Sequence, residues 1–110
     1  MGTRSMIAIK DSENKFRTIY CHWDGYPEHH LPILTENYST PETVEELFAL
    51  GNLSCLDENL DSCEAYHRDR NEDWEDVKPQ EHSSLDTALQ GSWAAYYYVF
   101  DGKEWSYGKN

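Results

Sequence analysis

The chain has 110 residues, with twenty-one Asp and Glu against nine Lys and Arg, and carries a formal charge of -12 at neutral pH. That charge argues against nucleic acid as a direct partner, because phosphates would meet a repulsive field. No apolar run approaches the roughly 18 residues of a membrane span, and three cysteines without a Cys-x-x-Cys pair argue against a secreted disulfide framework.

The length suits a single acidic domain over residues 1–110 with one modest core. Eight Tyr, four Trp and three Phe supply much of its apolar material. Mean hydropathy is low, so a homodimer is an open expectation. The opening Met1 to Lys10 enters an alternating pattern too early for a signal peptide, and cytoplasmic residence follows as the default. Gly2 before Arg4-Ser5-Met6 weakly matches a myristoylation signal, but a strand explains Ile7 and Ile9 better.

Residues 5–11 alternate as a strand, and residues 16–23 supply a second across the short polar connection Asp11 to Lys15. Phe16, Thr18, Tyr20 and His22 share one face of that second strand, and Arg17, Ile19, Cys21 and Trp23 share the other. Neither face is cleanly polar, which predicts an interior strand. Asp24-Gly25-Tyr26-Pro27 reads as a turn. A helix is expected from Glu28 to Tyr38, with Pro32 tolerable only in its first turn.

A clearer helix follows Thr40, which can cap it, with Pro41 in the first position and Val44, Leu47 and Phe48 as its apolar stripe. Glu45 and Glu46 face water, and Gly51 marks the stop. Residues 57–81 hold ten acids and three Lys or Arg; the stretch from about 57 to 84 reads as less regular, anchored by Leu60, Tyr66, Trp74 and Val77. Ser84 to Gln90 suits a helical turn or two. Trp93 to Phe100 is strongly β-prone, and Asp101-Gly102 leads into a last strand on which Trp105 and Tyr107 share a face. Two hairpins separated by helices predict an α+β fold: a four-stranded, mainly antiparallel sheet with two or three helices packed on one side.

The blocks Met1-Gly2-Thr3-Arg4-Ser5, Tyr20 to Glu28 and Ala65 to Arg70 together resemble a family of small, uncharacterised bacteriophage and prophage proteins. Tyr97 to Gly102, followed by Trp105, looks like that family's terminal hairpin. The resemblance spans most of the chain and imports no activity. It implies an accessory protein acting in the cytoplasm of a bacterial host.

His22, Asp24, His29, His30 and His67 are of metal-ligand type, but His-Glu-x-x-His, a cysteine cluster and a calcium-loop pattern are all missing. No metal and no cofactor is expected. A small hydrolase or metal-dependent enzyme would use His22, Asp24 and His67, with Asp69 as a second orienting carboxylate and Cys21 as a candidate nucleophile. Cys21 and His22 are adjacent on a strand and face opposite ways, so no catalytic residues are assigned. The favoured expectation is binding to a basic protein surface through Asp57, Glu58, Asp61, Glu64, Asp69, Glu72, Asp73, Glu75, Asp76 and Glu81, with Trp74 as an aromatic anchor. Its narrower form is a nucleic-acid mimic acting as an anti-defence inhibitor. The remaining alternative is a structural or homo-oligomeric protein whose acidic face is merely solvated.

Overall fold

Asp11 and Asp101 fold the two ends of the chain by the same device. In a computed structural model describing residues 3–11, 13–90 and 92–110, each carboxylate accepts backbone N–H groups across its own turn. Asp11 takes those of Glu13 and Lys15 at 2.8 and 2.9 Å, and Asp101 takes those of Lys103 and Glu104, both at 2.9 Å. These bonds hold both carboxyls below their ordinary range. The turns close two antiparallel hairpins: β1 (Ser5–Lys10) with β2 (Phe16–Cys21), and β6 (Tyr96–Phe100) with β7 (Trp105–Lys109). Met1, Gly2, Ser12 and Gly91 fall outside the described residues, so the first two residues of the opening sequence block are not placed.

The hairpins join through β1 and β6, which pair in parallel. The outer edge of β2 is shared between two short strands. Cys21 bridges in parallel to Leu53 of β3 (Leu53–Cys55), while Phe16 to Thr18 pair antiparallel with β5 (Gln80–His82). β4 (Glu64–Ala65) pairs antiparallel with β3 and completes a seven-stranded sheet of order β4-β3-β2-β1-β6-β7, β5 lying off this path.

The expected four-stranded, mainly antiparallel sheet does not hold; the sheet is mixed and has seven strands. β3, β4 and β5 are two or three residues long, too short to show alternation. Their pairing, like that of β1 with β6, is decided by contacts distant in sequence.

Helix α1 (Pro27–Asn37) and α2 (Pro41–Phe48) cover one face of the sheet. Ile7, Ile9, Ile19, Cys21, Tyr98 and Phe100 reach up from the strands, and Leu34, Val44, Leu47 and Phe48 reach down. Thr40 caps α2 through a reciprocal box with Thr43, worth about 1 kcal/mol. Pro27 opens α1, but Pro32 lies well inside it rather than in its first turn. The buried His30 and Leu34 on either side of Pro32 hold the helix against the sheet in spite of the lost backbone bond.

Two or three helices on one side is also too few. Short helices α3 (Tyr66–Arg70), α4 (Trp74–Val77) and α5 (Leu85–Leu89) follow, the first two within the 57–84 stretch together with β4 and β5. α5 packs on the other sheet face, where Ala88 meets Met6 and Ala94, with Leu89 and Tyr97 beside them. Among the described residues no helix is long and apolar enough to cross a membrane.

Candidate functional site

The carboxylates named from the sequence divide into two sets. In the first set all but Glu81 are engaged by side-chain bonds or ion pairs within the chain. Glu64 pairs with Arg70. Asp69 accepts from the Arg68 guanidinium at 2.9 Å and from the Ala65 backbone N–H at 2.8 Å, and these bonds lower its carboxyl below the usual range. Asp73 caps α4, and Glu75 lies 2.6 Å from the Lys78 ammonium. Glu81, on β5, is the register partner of Arg17, but the Arg17 guanidinium pairs with Glu45 instead. Trp74 is half-buried, its ring packed over Gly51 and edge-on to His67 at 5.2 Å, so it belongs to the framework.

In the second set, Asp57, Glu58, Asp61, Glu72 and Asp76 are exposed, and among the described residues none is in an ion pair. Glu58 and Asp61 face a cleft of about 380 Å³ between the end of α1, the outer side of α2 and the 57–61 loop. Asn37 and Tyr38 enter it from the end of α1, Thr43 and Glu46 from α2, and Asn59 and Leu60 from the loop.

Tyr38 sets the position of that loop. Its ring is buried, its hydroxyl donates to the Asp57 carbonyl at 3.0 Å, and its own carbonyl accepts from Trp105 Nε1 at 2.8 Å. Cys63 continues the tie by accepting the Asp57 N–H at 3.2 Å. Arg68 clamps the far side, donating to the carbonyls of Leu60 and Cys63 at 2.8 and 2.6 Å. Asn59 Oδ1 accepts the Ser62 N–H at 2.8 Å and tightens the turn. The outcome is a loop held at the Asp57 N–H and at the Asp57 and Leu60 carbonyls, with the Glu58 and Asp61 side chains facing the cleft.

The cleft therefore has three carboxylates, Glu46, Glu58 and Asp61, two carboxamides and one hydroxyl around the apolar surfaces of Tyr38 and Leu60, with no Lys or Arg among its lining residues. Its volume falls in the range of about 300–1,000 Å³ common to ligand sites. Chemically it suits a cation on an apolar stem: the stem lies on the floor and the charge meets the rim. Glu46 was read from the sequence only as a water-facing residue of α2. Its place in the site is invisible until the loop folds back against that helix.

The residues of the enzymatic alternative sit in separate local settings. Tyr20 hydroxyl and His22 Nδ1 are 2.6 Å apart, Asp24 is exposed in a left-handed turn conformation, and His67 Nδ1 lies 2.7 Å from the Glu72 carbonyl. Among the described residues no hydrogen bond joins any two of these three, and no group of three or more His, Cys, Asp or Glu side chains is arranged to hold a metal. Cys21 is fully buried and its thiol is pushed up to about 12 by desolvation, so it does not supply a thiolate.

The sequence reading also missed a buried polar cluster at the start of α1. His30 Nε2 is 3.0 Å from Ser5 Oγ, His30 Nδ1 is 3.0 Å from His29 Nδ1, and the Tyr98 hydroxyl donates to the Gly25 carbonyl. Ser5 and His30 have no exposed surface, so this serine–histidine pair is closed to substrate and acts as a structural tie. Compared with protein-family models, with curated proteins and with solved structures, the chain matches none.

Proposed function

We propose that this chain is a binding protein for a basic protein surface, and that the cleft between α2 and the 57–61 loop takes a Lys or Arg side chain of the partner. The observation that carries the proposal is the contrast between the two sets of carboxylates. Glu64, Asp69 and Glu75 are matched by Arg70, Arg68 and Lys78. Glu46, Glu58 and Asp61 converge on one concave site and have no cation there. Charge of -12 steers a basic partner at long range, and the cleft supplies the local, partly desolvated contact.

The resemblance to small phage proteins makes a host protein in the bacterial cytoplasm the partner of choice. In the narrower form of the proposal, the same free carboxylates stand in for phosphates in the groove of a DNA-processing or defence protein.

The test is affinity capture from a bacterial host lysate by the native chain and by a variant combining Glu46→Gln, Glu58→Gln and Asp61→Asn. A specific partner is expected with the native chain, released by salt and lost with the variant. A variant that retains the same partner at the same salt concentration overturns the assignment of the cleft. Duplex DNA competing for the captured partner separates the mimic from a binder at some other basic surface.

A further inference from the structure

We propose that the outer edge of β7 is a self-pairing surface, at which two copies of this chain join their sheets across a two-fold axis. The phase of the β6–β7 ladder is set by two backbone bonds at its ends, Asp101 N–H to Glu104 carbonyl at 3.2 Å and Asn110 N–H to Ala95 carbonyl at 2.9 Å. Since antiparallel ladders alternate, Ser106 and Gly108 turn their N–H and C=O groups inward to β6. Trp105, Tyr107 and Lys109 turn theirs outward, and β7 ends the order of the sheet, so among the described residues nothing pairs with them.

The charge distribution says which occupant fits. Seven of the ten carboxylates of residues 57–81, Glu64 to Glu81, lie on and between β4, α3, α4 and β5, on the far side of β1 from β7. Asp57, Glu58 and Asp61 precede β4 in the loop tied to Tyr38. The hairpin from Tyr96 to Asn110 is neutral, with Asp101 and Glu104 balanced by Lys103 and Lys109. Joining two copies through β7 thus meets along a neutral hairpin and leaves the seven carboxylates from Glu64 to Glu81 away from the seam.

Register follows from the outward groups. Only one antiparallel alignment pairs all three outward residues of one copy with all three of the other: Tyr107 opposite Tyr107 of the second copy, and Trp105 opposite Lys109 on each side. Each such pair exchanges two N–H···O bonds. The side chains of Trp105, Tyr107 and Lys109 share a sheet face, so the alignment sets a Lys109 ammonium beside a Trp105 ring, a favourable cation–aromatic contact. Tyr107, 53% exposed and stacked on Tyr98 at 6.2 Å, becomes the central contact. On the other face the opposed residues are Ser106 and Gly108, which leave room for the approach. The cleft adjoins this edge through Tyr38, whose carbonyl accepts from Trp105 Nε1, but no residue of β7 lines it, so this inference does not rest on its role.

The experiment is light-scattering mass with amide hydrogen exchange across a concentration series, at low and moderate salt. The mass is expected to double as concentration rises, more readily at moderate salt because screening relieves repulsion between the acidic chains. The amides of Trp105, Tyr107 and Lys109 gain protection in step with the mass, while Ser106 and Gly108 are protected throughout. Tyr107→Glu, which opposes two carboxylates at the axis, stays monomeric with unchanged circular dichroism, and Tyr107→Phe pairs as the native chain does. A monomer at every concentration overturns the proposal. So does a dimer in which those three amides exchange as in dilute solution, or a folded Tyr107→Glu chain that dimerises normally. If Tyr107→Glu fails to fold, the exchange pattern of the native chain decides.

Discussion

His30 Nε2 lies 3.0 Å from Ser5 Oγ across the junction between α1 and β1, with both side chains shut off from water. The neutral imidazole, with one donor and one acceptor nitrogen, satisfies Ser5 and His29 together. Burial first, and the neighbouring His29 second, lower the His30 pKa to about 3 from its ordinary 6.5. The unfolded chain therefore binds this proton more readily than the folded one.

Stability from keeping His30 neutral is complete above about pH 6.5 and is lost as pH falls toward 3. At pH 5 the loss amounts to roughly 2 kcal/mol. Urea unfolding at pH 6.5 and 5 is expected to show this decline in the native chain and a much smaller one in His30→Gln. Equal declines in the two chains would assign the proton elsewhere.

Gly51 adopts φ +76°, and an added Cβ would lie 2.6 Å from the Val77 carbonyl oxygen and 2.9 Å from the Trp74 ring. Left-handed backbone alone costs a residue with a side chain about 1–2 kcal/mol, and the rigid carbonyl adds to it. Gly51→Ala is expected to lower unfolding free energy by at least that amount. A change within about 0.5 kcal/mol, the scale of neutral surface substitutions, would contradict this close packing.

Removing the Tyr38 hydroxyl tests the tie beneath the cleft. Tyr38→Phe leaves the Asp57 carbonyl without its strongest donor, at a cost of about 1–2 kcal/mol. Amide exchange in residues 57–61 should quicken while α2 keeps its protection. If the loop exchanges as before, Arg68 and Cys63 suffice to order it.

Pro32 withholds a backbone N–H from the Glu28 carbonyl within α1. In Pro32→Ala that bond forms, partly offset by the greater freedom of the unfolded chain. The balance favours the variant by about 1–2 kcal/mol, read as a higher urea midpoint. A destabilised variant would mean that the helix needs the shape proline gives it.

Local chemistry made parts of this protein legible in the sequence. The alternation around Ile7, Ile9, Ile19 and Cys21, the Asp-anchored turns, Thr40 before Pro41 and the Gly51 stop each act within a few residues, so the β1–β2 and β6–β7 hairpins and α2 could be read directly. The acid excess is a property of composition alone, and the expectation of a basic partner rests on it. Tertiary contacts decided the rest, because the determining groups lie far apart in sequence. β3 and β5 are strands because the outer edge of β2 offers them backbone partners, and β1 pairs with β6 from the opposite end of the sequence. The sequence also could not sort its carboxylates. Whether an acid is neutralised, as Glu64 is by Arg70, or left at a cleft, as Glu46 is beside Glu58 and Asp61, depends on which cation the folded chain brings within reach.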